Sequence, residues 1–183
     1  MKLVLASKSP RRSEILKNAG IDFTVRVADA DETIPEGTKP CDAVVFLAAR
    51  KAMAVERADD ELVLGADTVV VLDDRILGKP KDKTDAFNMI KALSGRVHSV
   101  FTGVCVVGKG VSMTFSEETK VEFLPLTDDE INAYINTDEP YDKAGAYGIQ
   151  GLASKFIRGI QGDYFNVVGL PISRIYEKII TKL

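Results

Sequence analysis

Tryptophan is absent from this chain of 183 residues, histidine occurs once (His98) and cysteine twice (Cys41 and Cys105). With no CxxC pair and one histidine, a zinc cage of Cys and His is excluded, and a Ser-His-Asp triad has only His98 to draw on. Two isolated thiols suit a reducing compartment. Long apolar runs are missing too. The opening stretch Met1–Ala6 turns polar at Ser7, too soon for a signal-peptide core. The longest nearly apolar run, Leu62 to Leu72, carries Asp67 and is about half a membrane span. Nor is there an excess of one charge: 24 Lys+Arg against 27 Asp+Glu leave −3. That balance argues against general nucleic-acid or anionic-membrane binding, while a local basic patch can still hold a phosphate. The expectation is a soluble, cytoplasmic protein with neither nucleic acid nor membrane as partner.

What is present fits an ordinary globular domain, with 45% hydrophobic and 28% charged residues. A chain of this length buries well over half of its unfolded surface without disulfides or a structural metal. No repeat or linker divides it, so residues 1–183 read as one domain. Lys2–Ala6 reads as a buried strand. A helix follows, with Ser9 as N-cap, Pro10 at the first helical position and Gly20 past its end. Phe23–Val27 alternates like a strand and leads into an acidic loop. A second helix is predicted from Asp42 to about Arg57, and Leu62–Leu72 reads as a central strand turned back by Asp73-Asp74-Arg75. Thr84–Leu93 reads as helix. Val97–Val107 and Val111–Phe123 should pair across Gly108-Lys109-Gly110. Thr127-Asp128-Asp129-Glu130 spells a capping box for a helix to Asn136. Strand-like pieces lie near Phe156 and Phe165, and Pro171 opens a last helix with Ile172, Ile175, Tyr176, Ile179 and Ile180 inward. The class is α/β with a mixed sheet.

Three features carry chemistry. At the turn Ser7-Lys8-Ser9-Pro10-Arg11-Arg12 a helix N-terminus meets hydroxyls and arginine forks, the donor set of a phosphate site. An ordinary capped helix with solvated arginines gives the same pattern, although Arg12 continues the apolar stripe of Ile15 and Leu16. Asp67, alone among apolar neighbours, needs a metal, a cationic partner or a proton. Lys51 interrupts the apolar stripe of the second helix, where its stem can equally snorkel to water. Asp29, Asp31 and Glu32 form an acidic cluster with oxygen ligands for Mg²⁺ or Mn²⁺, or simply a solvated loop. Lys79 in Gly78-Lys79-Pro80 is a loop cation. The near P-loop Gly103–Gly110 lacks Ser/Thr after its lysine, and Gly145, Gly148 and Gly151 are not spaced as GxGxxG.

Five stretches occur in order along the chain: Leu5-Ala6-Ser7-Lys8-Ser9-Pro10-Arg11-Arg12, Gly65-Ala66-Asp67-Thr68-Val69-Val70, Gly78-Lys79-Pro80, Asp142 to Gly151 (DKAGAYGIQG) and Gly162 to Pro171 (GDYFNVVGLP). Together they make the chain resemble the Maf family of nucleoside triphosphate pyrophosphatases. Ala66-Asp67-Thr68 and Ala146-Tyr147-Gly148-Ile149-Gln150 point to the branch acting on dTTP and UTP, with modified pyrimidine triphosphates. The resemblance implies a long twisted mixed sheet flanked by helices, two lobes around a cleft, a cytoplasmic enzyme, a homodimer, and a divalent metal cation (Mg²⁺, Mn²⁺ or Co²⁺). It makes Asp67 the catalytic acceptor and Arg11, Thr68 and Gln150 the specificity positions. Ser7, Arg12, Glu32, Lys51, Lys79 and Asp142 line the polar site.

Joined to the reading of the residues, this gives a mechanism to test. Ser7, Ser9, Arg11 and Arg12 hold phosphates, Lys51 and Lys79 offset charge, and Glu32 with Asp67 holds the metal. The substrate is cleaved between its α and β phosphates. The rival is a non-catalytic nucleotide-binding regulator linked to cell division. A haloacid-dehalogenase-type phosphatase needs Asp-x-Asp-x-Thr, and only Ala66-Asp67-Thr68-Val69 is present.

Overall fold

A computed structural model describes residues 1–179. Strand β1 (Lys2–Ala6) is buried beyond its first residue and runs into α1 (Pro10–Asn18), where the missing N–H of Pro10 costs nothing at a first-turn position. β2 (Phe23–Val25) lies parallel to β1 on one side. The chain then crosses through α2 (Pro40–Met53) to β3 (Glu61–Leu72), parallel to β1 on the other side. From there the sheet is antiparallel. Asp73 and Asp74, both at positive φ, reverse β3 into the short β4 (Arg75–Leu77), and α3 (Lys83–Leu93) leads to β5 (Val97–Gly108) alongside β3. β6 (Val111–Phe123) returns beside β5, α4 (Asp128–Ile135) follows with the expected Thr127–Glu130 capping box, and β7 (Ile157–Gln161) pairs with β6. The strand order is β2-β1-β3-β5-β6-β7, with β4 against β3.

Side-chain parity along β3 organises the core. Leu62, Leu64 and Ala66 pack with Ile15 and Leu16 of α1 on one face, whereas Val63 packs with Ala48 and Ala52 of α2 on the other. Farther along, Val70 and Leu72 join Ile90, Leu93, Ile131 and Tyr134 in a second lobe built on α3 and α4. One break in the sheet positions the site. β1 pairs with β3 only as far as Gly65, and β4 pairs only from Val70, so residues 66–69 of β3 have no strand beside them on that edge.

Several expectations need correction. The segment around Phe165 is not a strand. It forms α5 (Tyr164–Val168), because the Asp163 side chain accepts the Phe165 N–H and so starts a helix. In α6 (Ile172–Lys178), Ile175 is buried but Tyr176 is exposed, so the inward stripe is narrower than predicted. Ile180 lies outside the described residues. α2 starts at Pro40 and stops at Met53, short of Arg57, and tight 3₁₀ turns follow α4 at Glu139–Asp142 and Ala144–Ala146.

The lone histidine is a core residue. His98 meets Phe123 and Tyr147 edge to face at 5.2 and 5.3 Å, and its Nε2 lies 2.7 Å from the Tyr147 hydroxyl. Burial lowers its pKa to about 4. The unfolded chain therefore takes up this proton at a higher pH than the fold, and stability falls as pH drops from 6.5 toward 4. Urea denaturation across that range should lose on the order of 3 kcal/mol in the parent. His98→Gln should remove most of this slope, and an unchanged slope would contradict the assignment.

Candidate active site

The unpaired stretch of β3 opens a cleft, and parity sends its two polar residues to opposite faces. Asp67 shares the α2 face with Val63 and Gly65, whereas Thr68 shares the α1 face with Ala66. α2 lies unusually close to the sheet. A Cβ on Gly65 would stand 2.2 Å from the Ala48 carbonyl oxygen, and one on Gly103, paired with Asp67, would stand 2.2 Å from the Val44 backbone. That approach places Lys51 Nζ 2.6 Å from Asp67 Oδ1, and the same ammonium lies 2.9 Å from Glu32 Oε1. The Lys51 and Asp67 side chains are only 21% and 14% exposed, so the contact is largely shielded. The Lys51 hydrogen bond holds Glu32 below the usual carboxylate range.

On the other face Arg12 is buried and tied down. Its Nε donates to the Gly169 carbonyl at 2.8 Å, Nη1 to Ser7 Oγ at 3.1 Å and Nη2 to Thr68 Oγ1 at 3.1 Å. Three of the five N–H groups of a guanidinium are thereby used to fix its plane, leaving two for an anion. Burial lowers its pKa while the charge of Asp67 opposes that shift. Ser7 Oγ accepts from both Arg12 and the Ser9 N–H (3.2 Å), which fills its lone pairs and leaves its proton for the cleft. Ser9 occupies the N-cap position but makes no capping bond, and the first turn of α1 holds no acidic residue. The resulting array of hydroxyls, orphan N–H groups and guanidinium consists of donors of the kind that an anion's oxygens can accept from.

A cavity of about 780 Å³ gathers Ser7, Ser9, Arg11, Arg12, Glu32, Lys51, Asp67, Thr68, Lys79, Asp142 and Gln150. Every site residue expected from the sequence therefore lines one cleft. Arg12, rather than Arg11, contacts Thr68. Arg11 instead reaches across to Asp142 at 3.3 Å. Of the acidic cluster, only Glu32 joins Asp67 on Lys51. Asp31 bonds Thr33 and Arg50 (2.6 Å), which hold its pKa at about 2. Glu32 and Asp67 converging on one point form an oxygen-only pair. Both carboxylates reach the Lys51 ammonium, and they are the residues that would hold a hard divalent cation. No group of three or more His, Cys, Asp or Glu that would form a complete cage occurs among the described residues.

Other contributors were not legible in the sequence. Glu139 accepts from the Leu152 N–H at 2.6 Å, the Ala153 N–H at 3.2 Å and the Tyr134 hydroxyl at 3.1 Å, which fixes the far end of the loop carrying Gln150. A Cβ on Gly151 would stand 2.2 Å from Glu139 Oε2, so a side chain there would displace the carboxylate that anchors this loop. Gly169 contributes a backbone carbonyl, which no side-chain pattern announces. Thr102 is visible only once β3 and β5 are paired, with Thr68 opposite it.

A mixed α/β sheet interrupted over a cleft of hydroxyls, a guanidinium and carboxylates defines an α/β protein with one polar site, and comparison with known proteins names the family. Residues 2–181 match the family described as Maf-like protein, and the chain belongs to it. A dTTP/UTP pyrophosphatase of Bacillus anthracis is 51% identical over 179 residues, covering 97% of this chain and 94% of that protein. A dTTP/UTP pyrophosphatase of Bacillus cytotoxicus is similar to the same extent, 51% over 179 residues with coverage of 97% and 94%. Among solved structures, the Staphylococcus aureus Ham1 protein matches with a TM-score of 0.48 and 17% identity, covering 67% of this chain and 72% of that one.

Because Lys51 and Asp67 are both shielded, removing one partner strands the other. Lys51→Met should cost about 2–4 kcal/mol in urea denaturation, and Asp67→Asn in the same background should recover part of that loss. Strictly additive effects would show that the two side chains do not interact.

Proposed function

We propose that the protein hydrolyses dTTP and UTP between the α and β phosphates, releasing nucleoside monophosphate and pyrophosphate. The observation that carries this reading is the cleft itself, where Arg12 and Ser7 present fixed donors on one face of β3 and Asp67 with Lys51 stands on the other, one residue away. The names of the relatives half identical to this chain support the choice of substrate.

Ser7, Ser9, Arg12 and the first-turn N–H groups of α1 bind the phosphate chain and orient it. Arg11 leaves Asp142 for the phosphates and closes that side. Asp67, hydrogen-bonded by Lys51, orients the attacking water and accepts its proton. Lys51 and Lys79 offset the charge that grows on the phosphate oxygens in the transition state. Glu32 and Asp67 are the residues that would hold a divalent cation, and such an ion supplies further charge neutralisation on those oxygens. Thr68 and Gln150 face the base, where polar contacts reject a wrong substrate more strongly than shape alone. The protein acts in the cytoplasm on the nucleotide pool.

Incubating the protein with a panel of nucleoside triphosphates and Mg²⁺, Mn²⁺ or Co²⁺ tests this reading. The expected products from dTTP and UTP are monophosphate and pyrophosphate in equal amounts, with the other common triphosphates at least tenfold slower. Release of single phosphate, or saturable binding without hydrolysis, would contradict it.

A further inference from the structure

Each hydroxyl in the cleft has one proton, and the destination of that proton decides what the group can bind. Thr102 is fully buried on β5, directly opposite Thr68. Its Oγ1 lies 2.9 Å from the Asn166 carbonyl oxygen, which offers only lone pairs, so the Thr102 proton is committed there. Thr68 Oγ1 lies 2.9 Å from Thr102 Oγ1. With the Thr102 proton already used, Thr68 must be the donor in that contact. Arg12 Nη2 then takes one Thr68 lone pair at 3.1 Å. A single lone pair is all that Thr68 has left.

Ser7, which touches the same guanidinium, is the reverse: its lone pairs are filled and its proton is available. The two hydroxyls flanking Arg12 thus have opposite polarity. Ser7 suits a phosphate oxygen, whereas Thr68 repels one and needs an N–H or O–H from its ligand. The carbonyl at the end of the chain is held in turn. Asn166 Nδ2 donates to the Val100 carbonyl at 3.0 Å and to Thr119 Oγ1 at 2.9 Å, locking α5 onto the sheet.

We propose that Thr102 is a positioning residue for substrate choice: by taking the Thr68 proton, it makes Thr68 an obligate acceptor for the N3–H of a uracil or thymine ring. N3–H is the one base donor that these two rings share, whereas cytosine carries a lone pair at N3. This rests on the reading of Thr68 as a base contact in a pyrimidine triphosphate pyrophosphatase.

The test is the ratio of kcat/KM for UTP over CTP in four proteins. Thr102→Val keeps the shape but not the acceptor, freeing the Thr68 proton to meet cytosine N3, and should narrow the ratio about tenfold. Thr102→Ser restores the acceptor and should return the ratio to that of the parent, which a purely structural role would not require. Thr68→Val serves as the control for the underlying reading. If it shifts the ratio while Thr102→Val does not, the inference about Thr102 is wrong and the base contact stands. If neither shifts the ratio, the base contact fails and takes the inference with it. Should Thr102→Val not fold, Thr102→Cys, whose thiol is a poor acceptor, must narrow the same ratio; a parental ratio there overturns the proposal.

Discussion

A carboxylate in the middle of an apolar strand needs a partner, and the rest of the cleft depends on how one is supplied. Asp67 lies on a strand whose Ala66 and Val69 are buried, and an isolated charge there would cost several kcal/mol. Lys51 meets this need because two glycines, Gly65 and Gly103, let α2 sit against the sheet. Side chains at either position would lift the helix and carry the ammonium away. The contact is 2.6 Å long, and both side chains keep a small exposed fraction toward the cleft. Glu32, 2.9 Å from the same ammonium, adds the second carboxylate.

Ending one strand early and starting another late then creates two workplaces on one backbone. Residues 66–69 of β3 are bare on one edge, so Asp67 and Thr68 can both be reached from the cleft although they face opposite sides of the sheet. The α2 face carries the carboxylates and their cation. The α1 face carries Arg12, Ser7 and Thr68. A triphosphate laid along that edge meets donors fixed before it arrives, so little reorganisation is left for the chemical step. The second lobe enters through Arg11–Asp142 and through the loop anchored by Glu139, which brings Gln150 to the rim.

Much of this was legible in the sequence for local reasons. β1, α1 and β3 announce themselves through apolar patterning and punctuation by Pro10 and Gly20. The capping box at Thr127 marks α4 without any tertiary information. Asp67 and Arg12 stand out because each is a charge where the pattern demands an apolar residue. Phe165 misleads because aromatic composition suggests a strand, whereas Asp163 starts a helix through one side-chain bond. Spacing sets Arg12 on the stripe of Ile15 and Leu16 and Arg11 off it, but names a partner for neither. Their roles differ because one turns inward toward the Gly169 carbonyl and the other outward toward Asp142. Thr102, Glu139 and Gly169 act through long-range pairing or backbone atoms, which leave no mark on the local pattern.

Asp67 as the group that activates water is the claim on which the account turns. The most direct measurement is pyrophosphate release from dTTP and UTP by Asp67→Asn, at saturating substrate with Mg²⁺ and with triphosphate affinity measured alongside. The expected result is a rate about 10³-fold below the parent with affinity largely retained, since Arg12, Ser7 and α1 still bind the phosphates. Turnover at the parental rate would contradict it.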